Sequence, residues 1–160
     1  MGIIRITKEF KFDTAHALKN YDGRCRNLHG HSYKLFVTIK GVPEKDPASP
    51  KQGMVMDFGD LKAIIKEEIV EKLDHAVLLN KETDTRYLNE IDQLFDKTVL
   101  VNYQPTTENM LLDFAEKIKK RLPAHVKLEK MLLRETVTSY AEWYAADNES
   151  DKEKTAFKDY

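Results

Sequence analysis

The sequence comprises 160 residues, of which 41% are apolar and 33% charged, a composition typical of one soluble globular domain rather than a disordered chain. The 26 basic and 27 acidic residues leave a net charge of -1, so no global field favours nucleic acid or an anionic membrane. We therefore expect neither as a partner, and any bound anion must be held by local groups.

The sequence carries no marker of export or of membrane insertion. A single cysteine excludes an intrachain disulfide. The first residues lack the cationic start and apolar run of a secretory signal, and no apolar stretch approaches the roughly 20 residues of a membrane helix. These observations predict a cytoplasmic protein.

Two stretches near the N-terminus alternate between apolar and polar residues, as half-buried strands do. In the first stretch, one parity holds Ile4, Ile6, Phe10, Phe12 and His16. In the second stretch, one parity holds His29, His31, Tyr33, Leu35, Val37 and Ile39. We expect the two strands to pair as a hairpin whose loop spans roughly residues 17 to 28.

Two helices are predicted after a loop rich in proline and glycine at residues 41–53. The first ends near Asp74 and has Asp57 or Asp60 available at its start. Its apolar face consists of Leu61, Ile64, Ile65, Ile69 and Leu73. The second helix is announced by Pro105 and Thr106 and is stopped by Pro123.

The final runs, residues 126–135 and 140–145, are rich in strand-forming residues and predict a second hairpin. Residues 81–104 show no clear period. The order ββααββ predicts an α+β fold, an antiparallel four-stranded sheet with two helices on one face, whose other face needs a partner. We expect one domain over residues 1–146 and a charged, frayed tail over residues 147–160.

Three histidines are candidate metal ligands. His29 and His31 lie two residues apart in a strand, so their side chains point to the same side. The hairpin brings His16 opposite this pair, and three imidazoles with an open fourth position are typical of catalytic zinc. An isolated H-x-H is more often a pair of half-buried strand residues, but the third histidine and the nearby cysteine weaken that alternative.

Four further residues are candidates for proton chemistry. Cys25 lies between two arginines, which favour a thiolate able to remove a proton from carbon, although an unreactive cysteine is the commoner case. Asp74 and His75 follow the first helix, where a carboxylate can orient an imidazole. Glu135 closes an apolar run and would need a partner if buried. An exposed helix end and an exposed strand end explain these last three residues equally well.

Together these residues resemble the 6-pyruvoyltetrahydropterin synthase and 6-carboxytetrahydropterin synthase family. The resemblance covers the chain to about Ala145 and rests on several short motifs in the family's order. These motifs are F-D-T-A-H ending at His16, C-R-N-L-H-G-H from Cys25, L-D-H ending at His75, P-T-T-E-N from Pro105, and R-E-T around Glu135.

The resemblance implies the tunnelling fold (T-fold), in which subunits join their sheets into barrels and active sites lie at subunit interfaces. It implies a homo-oligomer, a hexamer by analogy. It also assigns the site residues: zinc on His16, His29 and His31; the proton acceptor Cys25; the relay Asp74 and His75; the pterin anchor Glu135; and ring contacts from Thr106, Thr107, Glu108 and Asn109. A carboxylate suits the anchoring role because the pterin offers two parallel N–H donors.

Within the family, the C-x3-H-G-H spacing resembles the carboxy-forming branch. This implies conversion of 7,8-dihydroneopterin triphosphate to 6-carboxy-5,6,7,8-tetrahydropterin, with loss of triphosphate and acetaldehyde, in queuosine precursor synthesis. The alternatives are a pyruvoyl product and a non-catalytic metal-binding assembly module, which the intact Cys25, His75 and Glu135 disfavour. The segment after Asn80 is longer than is usual in the family.

Arg24 and Arg26 flank the candidate base in a chain of almost no net charge. Guanidinium groups pair with phosphate oxygens through forked hydrogen bonds, so the two side chains are candidate ligands of the triphosphate. Solvated loop residues are the equally weighted alternative.

Overall fold

The computed structural model describes residues 2–148, and their backbone forms one six-stranded sheet with helices packed against it. The strands are β1 Ile4–His16, β2 His29–Gly41, β3 Ala76–Asn80, β4 Thr98–Val101, β5 Val126–Arg134 and β6 Tyr140–Tyr144. Their spatial order is β4-β3-β1-β2-β5-β6. β1 and β2 form the expected antiparallel hairpin, whose last pair in register is His16 opposite His29. The hairpin prediction is confirmed.

The helical segments are α1 Phe58–Ile65, a π-helical turn Lys66–Val70, α2 Glu71–Leu73, α3 Thr85–Leu94, α4 Thr107–Arg121 and α5 Ala145–Asn148. Asp57 caps α1 by accepting a hydrogen bond from the Gly59 N–H at 2.6 Å. Thr106 caps α4 by accepting from the Asn109 N–H at 3.3 Å. Both predicted helices therefore begin with the capping residues that the sequence indicated.

The core lies between these helices and the inward-facing side chains of the strands. Its fully covered members include Tyr33, Leu35 and Ile39 from β2, together with Leu61 and Phe114 from the helices. Each buried apolar side chain of this size contributes roughly 1.5–3 kcal/mol relative to exposure. The hairpin that carries the histidines is thus fixed by packing along most of its length.

The opposite face of the sheet is polar where β1, β2 and β5 meet. The Thr7 and Thr38 hydroxyls are hydrogen bonded at 2.8 Å. Arg5 donates to Glu129 through Nε at 2.7 Å, and Lys40 pairs with the same carboxylate. Coverage of this face by a partner remains a prediction.

The sheet differs from the prediction in having six strands rather than four and in being mixed rather than antiparallel. β3 pairs in parallel with the end of β1, and β4 pairs in parallel with β3. Every residue of β3 is buried, so its sequence lacks the alternation that marks a half-buried strand. β4 and α3 arise from residues 81–104, for which the sequence predicted no element, although Tyr87, Leu88, Ile91 and Leu94 of α3 follow helical spacing.

The C-terminal boundary is only partly described. Asp147 and Asn148, which the sequence assigned to the tail, lie in α5, and residues 149–160 lie outside the described residues. The division into a domain and a tail remains a prediction. Within residues 2–148, no helix combines the length and the apolar character needed to cross a bilayer.

Candidate active site

The three candidate histidines converge at one end of the hairpin. One ring nitrogen from each of His16, His29 and His31 can be chosen so that all lie within 4.8 Å of one another. The Nε2 atoms of His16 and His29 are 3.2 Å apart. His16 is buried and the other two are half-buried. The structure therefore forms the cluster that the strand parity and the hairpin register predicted.

Backbone carbonyl groups orient two of these rings. His16 Nδ1 donates to the Pro105 carbonyl oxygen at 2.7 Å, and His29 Nδ1 donates to the Asn27 carbonyl oxygen at 2.7 Å. A neutral imidazole that donates through Nδ1 presents a lone pair on Nε2. Two lone pairs facing each other at 3.2 Å repel unless a cation lies against them. This arrangement is typical of imidazoles that are held ready for a metal.

Two further observations fit a metal site. The Nε2 atom of His31 is buried and has no hydrogen-bond partner among the described residues. Burial lowers the pKa of both His16 and His31, chiefly by desolvation. The rings are therefore held in the neutral form that binds metals, and an unpaired buried nitrogen would gain a partner.

Glu135 lies beside the cluster, immediately after β5. Its Oε1 atom is 3.7 Å from His16 Nε2 and 3.6 Å from His31 Nε2. The buried Tyr33 hydroxyl donates to the same oxygen at 3.3 Å, and burial together with this carboxylate raises the pKa of Tyr33. Tyr33 shares the strand face of His29 and His31, but its link to a carboxylate 102 residues away was missed by the sequence analysis.

Cys25 faces the same region from the loop between β1 and β2. It lies in the short 3-10 turn Arg24–Arg26, is half-buried, and its carbonyl oxygen accepts from the Leu18 N–H at 2.9 Å. A cavity of about 310 Å³ is lined by Cys25, His16 and Glu135 together. The structure thus brings the candidate base, one metal ligand and the candidate anchor to one cavity.

The start of α4 forms another wall of this cavity. Thr106, Thr107 and Glu108 line it, and the Thr107 hydroxyl is buried with no hydrogen-bond partner among the described residues. Gln104 fixes this wall to the cysteine loop, because its side-chain amide accepts from the Lys19 N–H at 3.1 Å and donates to the Lys19 carbonyl oxygen. The sequence analysis did not predict these hydrogen bonds of Gln104.

Arg24 and Arg26 are exposed, and neither is among the residues that line the cavity with Cys25. Their backbones form the tight turn itself, since the Arg26 N–H donates to Gly23 and the Asn27 N–H donates to Arg24. A role in binding phosphate therefore remains a prediction.

The Asp74–His75 pair lies at a different cleft. His75 Nδ1 is 3.1 Å from Asp74 Oδ2, so the predicted pairing of imidazole and carboxylate is present. His75 lines a cleft of about 640 Å³ whose walls also include His31, Asp13 and Lys97. Within one chain, His75 and Cys25 line separate cavities. His31 lines the cavity of His75, and His16 lines the cavity of Cys25.

Comparison with known proteins gives this geometry a context. The family model described as 6-pyruvoyl tetrahydropterin synthase matches residues 5–146. A 6-carboxy-5,6,7,8-tetrahydropterin synthase from Haemophilus influenzae is 37% identical over 143 residues, covering 88% of this chain and 99% of its own. A dihydroneopterin monophosphate aldolase from Pyrococcus furiosus is 36% identical over 131 residues, covering 82% of this chain and 89% of its own.

A solved structure shares the fold. The 6-pyruvoyl tetrahydropterin synthase of Caenorhabditis elegans matches with a TM-score of 0.63 and 24% identity, over 90% of this chain and 96% of its own. Together with the sheet and helices described above, this likeness supports the T-fold and the α+β class.

The fold and the site thus define an enzyme of the tetrahydropterin synthase type, in the lyase class. The chain belongs to the 6-pyruvoyl tetrahydropterin synthase family, as the sequence motifs had indicated.

Proposed function

We propose that this protein is a zinc-dependent 6-carboxy-5,6,7,8-tetrahydropterin synthase that acts on 7,8-dihydroneopterin triphosphate and releases acetaldehyde and triphosphate. This reaction would serve queuosine precursor synthesis. The observation that carries the proposal is the cavity in which Cys25 and Glu135 lie beside the histidine cluster. The Haemophilus influenzae relative, matched over 99% of its length, bears the name of this activity.

His16, His29 and His31 would hold the zinc, because neutral imidazoles are favoured zinc ligands and three of them leave one position open. When bound there, zinc supplies a Lewis acid that polarises a substrate oxygen. The carbonyl groups of Pro105 and Asn27 would keep two of the rings in the correct orientation.

The chain's own groups then divide the remaining work. Cys25 would remove a proton from carbon, because it is the one thiol in the chain and lines the cavity. Glu135 would accept the two parallel N–H donors of the pterin, with Tyr33 holding the carboxylate in place. The unpaired Thr107 hydroxyl, with Thr106 and Glu108 beside it, would complete the contacts to the ring.

Asp74 and His75 would relay protons, as an imidazole oriented by a carboxylate can do. Because His75 and Cys25 line separate cavities of one chain, we propose that a complete site combines Cys25 of one copy with His75 of another. The edge of β1 supports assembly, since β3 covers only residues 14–16 of it, and a free edge favours pairing with another strand. A homo-oligomer, a hexamer by family analogy, acting in the cytoplasm is part of the proposal.

A second candidate is an aldolase that acts on dihydroneopterin monophosphate. The Pyrococcus furiosus relative bears that name and is 36% identical, close to the 37% of the Haemophilus influenzae protein. The two activities differ in the phosphate chain that the protein must hold. A pyruvoyl product from the triphosphate is the third possibility that the family allows.

One experiment separates these activities. The purified protein, loaded with zinc, is incubated with the triphosphate and, in parallel, with the monophosphate, and the products are identified by mass spectrometry. We expect the 6-carboxy product and acetaldehyde from the triphosphate. A pyruvoyl product, or turnover of the monophosphate alone, would overturn the proposal in favour of the corresponding alternative.

The role of Arg24 and Arg26 has its own test. If they bind the triphosphate, replacing both with Gln should weaken use of the triphosphate substrate more than use of its unphosphorylated analogue. Equal losses on both substrates would identify them as ordinary surface residues.

A further inference from the structure

Lys97 binds the backbone on either side of the candidate relay, Asp74 and His75. It lies in residues 81–104, for which the sequence predicted no helix or strand. Its ammonium group donates to the carbonyl oxygens of Glu71 and Asp74, both at 2.7 Å. Its own carbonyl oxygen accepts from the Val77 N–H at 3.0 Å. Lys97 is therefore hydrogen bonded to the chain on both sides of His75. The Lys97 side chain binds residues that precede His75, and the Lys97 carbonyl oxygen binds a residue that follows it.

The residue between these bonds has an uncommon backbone conformation. His75 lies in the left-handed region with a φ of 57°, which residues other than glycine rarely adopt. Its side chain is 77% exposed, so packing of the imidazole cannot impose this conformation. Such conformations persist where the surrounding structure holds them, and they cluster at functional sites.

β1 holds the pair from the other side, while the Asp74 N–H donates to the Val70 carbonyl oxygen at 2.8 Å. The His75 N–H donates to the Asp13 carbonyl oxygen at 2.7 Å, and the Asp13 N–H donates to Asp74 Oδ1 at 2.9 Å. Lys97 supplies the bonds from the opposite direction, so the pair is held between β1 and the approach to β4. Without Lys97, the Asp74 carbonyl would lose its side-chain donor.

Lys97 is also one of the groups that lower the pKa of Asp74. The pKa of Asp74 lies below its usual value, chiefly because of the Asp13 N–H and further because of His75 and the Lys97 ammonium. The other charged side chain that lines the cleft with Asp13, His75 and Lys97 is Asp96. An anionic Asp74 favours the His75 tautomer with its proton on Nδ1, which leaves Nε2 free to exchange protons.

We propose that Lys97 is a positioning residue for the Asp74–His75 pair, fixing its backbone conformation through the two carbonyl groups and placing a cation near the Asp74 carboxylate. The catalytic side of this proposal rests on the proposed relay role of His75. Residues 81–104, the segment that is longer than is usual in the family, would thus serve to place Lys97 beside the end of α2.

The test compares Lys97→Met and Lys97→Arg with the control Lys81→Met, which removes an exposed lysine from the start of the same segment. In Lys97→Met we expect kcat to fall on the order of tenfold with KM within about twofold, since misplaced catalytic groups slow chemistry more than binding. Lys97→Arg, which restores charge and donors, should recover most of the rate, and Lys81→Met should match the wild type.

A second measurement needs no substrate. Titration of the Asp74 carboxyl carbon by NMR should give a higher pKa in Lys97→Met than in the wild type and in Lys81→Met. If the protein turns over no pterin but this pKa shift is found, the proposal for Lys97 stands and the proposed function fails. Unchanged titration of Asp74 in Lys97→Met would overturn the proposal, even if kcat or stability falls.

Discussion

Replacement of Tyr33 by Phe isolates one hydrogen bond at the proposed pterin anchor. The Tyr33 hydroxyl donates to Glu135 Oε1 at 3.3 Å, while its ring stacks on Phe12 with centroids 5.3 Å apart. Phenylalanine keeps the ring and removes only the donor. Because a bond to a charged acceptor contributes about 1.5–3 kcal/mol and this one is long, we take the lower value, about 1.5 kcal/mol. If that energy holds Glu135 in its working position, kcat/KM should fall roughly tenfold.

Tyr103 provides the matched control. It is also a tyrosine whose hydroxyl donates to a carboxylate, Asp113 Oδ2 at 2.9 Å, and that carboxylate pairs with Lys117 rather than with the histidine cluster. Urea unfolding should show a loss of about 1.5 kcal/mol in Tyr33→Phe and at least as large a loss in Tyr103→Phe, whose bond is shorter. Steady-state kinetics should show a loss of kcat/KM in Tyr33→Phe alone. Full activity in Tyr33→Phe, or equal losses in both variants, would refute the reasoning.

Three further predictions concern the rest of the site. Cys25→Ala should remain folded and metal-bound but lose turnover, and near-normal turnover would exclude the thiolate as the base. Metal analysis should find one zinc per chain, with both metal and activity lost in His29→Ala and His31→Ala; full occupancy in both variants would contradict the ligand assignment. Analytical ultracentrifugation should detect an oligomer, and co-expression of Cys25→Ala with His75→Ala chains should restore activity that neither variant has alone. An active monomer would disprove the shared site.

The parts of the fold that the sequence revealed are those with one face buried and one face exposed. β1, β2 and α4 show this contrast, so their periods could be read directly. The inner face of β1 was extended too far by one residue, since Ile4 is 47% exposed, whereas Ile6 is half-buried against the core and Phe10 and Phe12 are buried. β3 is buried on both faces and therefore lacks an alternating pattern, whereas α3 has Tyr87, Leu88, Ile91 and Leu94 at helical spacing, a signal that the sequence analysis missed.

The site was predictable to the extent that it depends on local register. Residues two apart in a strand share a face, and a hairpin brings its two ends together, which is sufficient to gather His16, His29 and His31. The contact between Tyr33 and Glu135 depends on how β2 pairs with β5, where Lys34 lies opposite Arg134. These strands are far apart in sequence and no short turn joins them, so no local pattern sets their register and the hydroxyl-to-carboxylate bond was found only in the structure.

The candidate metal ligands and the candidate proton-transfer residues lie on different kinds of structural element. The histidines lie on the paired ends of the two longest strands, where packing and the strand ladder fix their positions. Cys25 and His75 lie instead in connecting segments, where loops carry reactive groups on a rigid scaffold. Each connection is tied down by a side chain from residues 97–104, Gln104 for the cysteine loop and Lys97 for the relay. One stretch of chain thus fastens both candidate catalytic segments to the sheet, and we expect that loosening it would slow turnover before it disturbs the histidine cluster.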